Sequence, residues 1–185
     1  DNPIILDSVA QNTLDIGYFQ NAKTLSEKAV SIDPLVAIYR NTLGNINYAL
    51  GFEAEAFQNF EKSIELDPTL LFPYENLAYI YFRPETSEQF QAISLRRKEA
   101  GVNDTFIIRM FRLIQDNGGL KNRDIVKRLR DEADDNGTKW YMTGYLRDAD
   151  SAIDMMDNYW KRESKPRRYA LHYPFKMVAE FIGKD

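Results

Sequence analysis

The sequence predicts an all-α protein, a repeat array built from antiparallel pairs of helices, and three observations predict it. The block Glu27-Lys28-Ala29-Val30-Ser31-Ile32-Asp33-Pro34 recurs as Glu61-Lys62-Ser63-Ile64-Glu65-Leu66-Asp67-Pro68, 34 residues later. A fixed period of that size marks supersecondary units that stack because none can bury its apolar face alone. Small residues also keep phase: Val9-Ala10, Leu43-Gly44 and Leu77-Ala78 each set a large apolar residue before a very small one, and Ala22 pairs with Ala56. Apolar residues fall at helical spacing, as Ala56, Phe57, Phe60 and Ile64 do, and give a helix one buried stripe.

The elements follow in order. The first repeat, residues 3–36, carries the shared phases at Val9, Ala10, Gly17, Ala22, Ala29 and Pro34, and the second spans 37–70. Gly17 and Gly51 supply the left-handed conformation that ends the first helix of each pair. Pro34 and Pro68 are expected in the first turn of the next repeat, where the missing amide hydrogen is no loss. The third repeat, residues 71–102, keeps the pattern through Tyr74, Leu77, Ala78 and Tyr81 and then departs from it. Pro84-Glu85-Thr86-Ser87 reads as a turn with a helix cap, followed by a helix from Glu88 to Ala100 that lacks the expected small residue and ends at Gly101.

Beyond Gly101 helix pairs continue without the period. Asn103-Asp104-Thr105 caps a helix over Phe106–Gln115, Asn117-Gly118-Gly119 breaks it, and Asp124–Asp135 presents Ile125, Val126, Leu129 and Ala133 on one face. Lys139–Leu146 and Ala149–Arg162 form a further short-then-long pair, and Pro174 opens a terminal amphipathic helix through Phe175, Val178, Ala179 and Ile182. The expected organisation is one solenoid over 1–185, with irregular pairs at 103–136 and 138–163 and a capping helix at 174–183.

The set Leu43-Gly44…Tyr48…Gly51…Ala56…Phe60…Pro68 resembles the tetratricopeptide repeat. That resemblance implies a right-handed α-α superhelix whose first helices line a concave groove. The groove residues it implies are Asp7, Ser8, Gln11 and Asp15 from the first repeat and Asn41, Thr42, Asn45 and Tyr48 from the second. The third adds Glu75, Asn76, Tyr79, Phe82 and Arg83. Asparagine both donates to and accepts from a peptide backbone, and tyrosine and phenylalanine add apolar contact at low entropic cost. Some members of the family clamp a partner's C-terminal carboxylate with lysine, arginine and asparagine. Here Asp7, Gln11, Phe72 and Asn76 stand at those places, with Thr42 at the central asparagine's, so that mechanism is not expected. The expected function is non-enzymatic binding of a protein or peptide. The order of elements from residue 103, with Gly118-Gly119, Asp148, Ala152 and Pro174, is similar to the C-terminal half of certain bacterial winged-helix transcription activators. That likeness implies a sensory or regulatory half as an alternative, and a helical domain that senses a small ligand is a third.

Composition narrows the classes. Lys+Arg 24 against Asp+Glu 28 gives a net charge of −4, which does not supply the cationic excess that phosphate neutralisation needs, so direct nucleic-acid binding is not expected. The absence of cysteine removes disulfides and thiolate metal sites and leaves cytoplasm and periplasm equally open. Apolar runs are far shorter than a membrane span. The chain opens on Asp1 with no basic-then-apolar leader, so a processed form or an excised fragment is expected.

The remaining clusters read as solvated surface. Lys161, Arg162, Lys165, Arg167 and Arg168, beside Trp160, Tyr169 and Tyr173, suit a helix end and loop, although basic residues among aromatics also bind single strands. Arg96-Arg97-Lys98 and Lys127-Arg128-Leu129-Arg130 read as exposed faces. Asp148, Asp150, Asp154 and Asp157 lack the glycine and terminal glutamate of a calcium loop, and His172 has neither a cysteine nor a second histidine to work with. No cofactor is expected. The terminal helix Phe175–Ile182 either caps the solenoid or pairs with a second copy.

Overall fold

The computed structural model describes residues 2–81, 86–104 and 123–132, with single helical positions at 108, 112, 139, 142 and 143. Every element among them is helical. The chain divides into two compact units, Asp1–Phe111 and Arg112–Asp185.

The first unit holds α1 (Pro3–Asp15), α2 (Phe19–Ile32), α3 (Ala37–Ala49), α4 (Glu53–Leu66), α5 (Leu71–Ile80) and α6 (Ser87–Glu99). The period is carried into the structure itself. The odd helices start at Pro3, Ala37 and Leu71 and the even ones at Phe19, Glu53 and Ser87, each 34 residues after the last. The third pair therefore keeps register although its sequence departs from the pattern. Phe90 is buried at the place that Ala22 and Ala56 occupy in the earlier pairs. Three-residue connections fold α1 against α2 and α3 against α4, as short loops between neighbouring helices require.

Gly17 and Gly51 stand in the left-handed region, with φ of +90° and +84°. At the first, Tyr18 N–H donates to the Thr13 carbonyl at 3.0 Å and Gly17 N–H to Leu14 at 2.9 Å; at the second, Phe52 donates to Asn47 and Gly51 to Tyr48. These paired bonds satisfy carbonyls that the helix end leaves open. Pro34 and Pro68 lie outside the first turn of the following helix, contrary to expectation. Asp33 and Asp67 end α2 and α4 in extended conformation, and their carboxylates accept from Leu35 N–H at 3.3 Å and Thr69 N–H at 2.9 Å. Proline occupies the turn that the aspartate closes. Thr86 does stand at the N-cap of α6, but its hydroxyl donates back to the Tyr81 carbonyl at 2.8 Å instead of capping the helix.

Two clusters of the core lie on α1, α2 and α3. Ala10 and Leu14 of α1, Ala22 of α2 and Ile46 of α3 pack together, with Phe19, Leu25, Ala49 and Leu50 around them. Ala29 and Val30 of α2 meet Tyr39 and Leu43 of α3, flanked by Leu6, Val36 and Ile38. Helix α2 is thus shared by α1 and α3. At the crossing of α3 and α4 a Cβ on Gly44 would lie 2.6 Å from the Phe60 ring, which explains the small residue there.

In the second unit α7 (Arg123–Glu132) buries Val126 and half-buries Ile125 and Leu129, as expected, and ends its described span before Ala133. The expected helices over 149–162 and 174–183 lie outside the described residues, as do the basic cluster 161–168 and His172.

Candidate functional site

The odd-numbered helices touch one another directly, α1 against α3 and α3 against α5. Their meeting lines are polar. Gln11 Nε2 donates to Asp7 Oδ2 at 2.8 Å and reaches Thr42 Oγ1 at 3.3 Å, so one amide ties α1 to α3. The Thr42 hydroxyl donates to the Ile38 carbonyl one turn back at 3.1 Å. Further along, Asn76 Nδ2 of α5 donates to Asn41 Oδ1 of α3 at 2.9 Å.

This arrangement sorts the expected groove residues by access. Asp7, Asn41, Thr42 and Tyr48 are buried within the chain. Gln11 and Ser8 are exposed, and Asp15, Asn45, Glu75, Asn76 and Tyr79 are half-buried. Phe82 and Arg83 lie outside the described residues. The structure brings Asp7, Gln11 and Thr42 into one cluster and Asn41 and Asn76 into another. Of these expected residues, those left accessible are mainly amides and carboxylates.

Asp7 is the unusual member. It is 4% exposed, and its Oδ1 has no hydrogen-bond partner. Burial pushes its carboxyl above the ordinary 3.8, and contacts with Thr42 and Gln11 hold back part of the rise. The single Thr42 hydrogen is directed to Ile38, so Thr42 offers Asp7 less than a full hydrogen bond. Nearby, burial and the charges of Asp7 and Asp33 raise the Tyr39 phenol.

The basic stretches are exposed as expected at Arg96, Lys98, Lys127 and Arg128 and differ from expectation at Arg97 and Arg130. Arg97 is buried, its guanidinium holding the Val102 carbonyl and the Asp104 carboxylate. Arg130 is buried in the second unit and donates to Asp131 at 2.9 Å. Arg96 is exposed but engaged, forming a two-pronged pair with Glu61 at 2.9 and 2.8 Å that links α6 to α4. The 35-residue separation of Glu61 and Arg96 is a signal the sequence carries, one residue over a period. Among the described residues no group of three or more histidine, cysteine, aspartate or glutamate side chains converges as metal ligands would, and no helix is long and apolar enough to cross a membrane.

No protein-family model and no curated protein matches the chain.

Proposed function

We propose that the chain is a tetratricopeptide-type solenoid, a right-handed α-α superhelix, and a non-enzymatic module that binds a protein or peptide along its odd-numbered helices. The observation that carries this reading is the row of amides on helices that recur every 34 residues and touch in sequence: Gln11 on α1, Asn45 on α3 and Asn76 on α5. An amide offers a donor and an acceptor together, which matches the alternating groups of an extended backbone. The part-buried Asp7–Gln11–Thr42 and Asn41–Asn76 contacts fix the spacing of the helices that carry the row.

Gln11 and Asn45 are the residues to change, because both are accessible whereas Asn41 is buried, and the tie from Gln11 to Thr42, at 3.3 Å, is longer than the 2.9 Å bond by which Asn41 holds α3 to α5. A partner captured by crosslinking to the full chain should bind Gln11→Ala plus Asn45→Ala about tenfold more weakly, since each lost hydrogen bond contributes about 0.5–1.5 kcal/mol. Helicity should be unchanged. Equal affinity for the double variant would remove the groove assignment.

A further inference from the structure

The outer side of α1 repeats four of the apolar positions with which α3 and its C-terminal end bury α2. Ile4, Ile5, Val9 and Ile16 stand 34 positions before Ile38, Tyr39, Leu43 and Leu50, all of which pack against α2 or the core it shares. These four, three on α1 and Ile16 at its C-cap, are 65%, 60%, 43% and 50% exposed. Three positions have turned polar: Asn2 stands at the place of Val36, Asp15 at that of Ala49, and Asn12, at the place of Ile46, folds its amide back onto the Ser8 carbonyl at 2.9 Å. Tyr18 extends the face. It is the counterpart of Phe52, whose ring lies 4.4 Å beneath the Lys23 ammonium.

We infer that this face of α1 is a docking site for an amphipathic helix of a partner protein, with the chemistry that α2 presents to α3. The internal contact specifies that chemistry. The occupant carries a small residue followed by lysine or arginine, as Ala22-Lys23 does, and two turns later a small residue followed by a branched one, as Ala29-Val30 does. The small residues let the two helices approach; the branched residue covers the counterparts of Tyr39 and Leu43. The cation reaches the Tyr18 ring, as Lys23 reaches Phe52. A second copy is a poor occupant in head-to-tail fashion, because α6 places Arg97 and Lys98 where α2 has Ala29 and Val30. Patches of adjacent apolar side chains on a protein surface commonly mark such interaction sites.

The test uses the full chain and a labelled synthetic peptide with the sequence of residues 18–35, read by fluorescence anisotropy. Saturable binding is expected. It should weaken at least tenfold with Ile5→Glu plus Val9→Glu in the protein, and equally with Ala29→Asp plus Val30→Asp in the peptide. Lys23→Ala in the peptide and Tyr18→Ala in the protein should each weaken it less, and together no more than either alone. The protein's circular dichroism and melting temperature should not fall, because Ile5 and Val9 are already exposed. Binding that survives the double glutamate variant means that the peptide has displaced the chain's own α2, and overturns the inference. So does absent binding, whether the chain is a monomer or forms a dimer that those glutamates dissolve. The groove variants Gln11→Ala and Asn45→Ala should leave this binding untouched.

Discussion

At the scale of single residues, matched volumes decide the crossings within each helix pair. Gly44 sits against the Phe60 ring, whereas the equivalent positions in the first and third pairs are Ala10 with Ser26 and Ala78 with Ser94. Where the large ring enters, the opposite residue has lost its methyl. Ser26 Oγ and Ser94 Oγ are buried without a hydrogen-bond partner, a small cost that an alanine would not carry. Gly44→Ala forces its new methyl into the ring, an overpacking that costs about 1–3 kcal/mol and outweighs the roughly 1 kcal/mol by which alanine favours a helix interior. The expected outcome is a lower urea midpoint at unchanged slope. Restoration by Gly44→Ala combined with Phe60→Leu would place the strain at this contact, whereas a Gly44→Ala variant as stable as the parent would disprove it.

Helices and their ends were the most legible features of the sequence. The two eight-residue blocks set the period, and the structure starts six helices in that register, including α6, where the local pattern is lost at Pro84 and Phe90. Glycine at 17 and 51 was readable because few other residues tolerate that backbone. Proline was misplaced by a few residues because the aspartate before it, not the helix after it, organises the turn. Gly51→Ala has open space around its methyl but must hold φ near +84°, so the cost is conformational, about 1–2 kcal/mol. Thermal unfolding should show it, and Gly51→Asn should lose less than Gly51→Ala because asparagine tolerates that region better. Equal losses would mean that the turn is not what limits α3.

For the whole molecule, the polar meeting lines between odd-numbered helices were not legible, and the reason is physical. Asp7, Asn41 and Thr42 have the chemistry of surface residues; their burial arises only when α1, α3 and α5 come together, over a separation no local pattern records. Arg97 was misread likewise, since its partners Val102 and Asp104 lie past the helix end. This burial gives stability a pH dependence of mixed sign. Asp7 binds its proton more tightly folded than unfolded, so its favourable contribution is complete below 3.8 and is lost as pH rises through the higher folded value. Asp67 acts oppositely. The Thr69 hydroxyl and amide hold its carboxyl below 3.8, so its contribution is present above that value and lost as pH falls through the lower folded one. Asp7→Asn should therefore raise the urea midpoint at pH 7 and change it little near pH 3. A lower midpoint at pH 7 would mean that the ionised carboxylate supports the fold.

A chain made of near-copies risks pairing the wrong helices as it folds, because α2 and α4 offer similar apolar stripes to either α1 or α3. The Gly44–Phe60 contact separates the choices. Phe60 set against Ala10 would press its ring on a methyl, and Ser26 set against Gly44 would leave a hole where the ring belongs. Mispaired hairpins are thus penalised by excess volume on one side and by a void on the other, which steers each helix to its own partner despite the repetition.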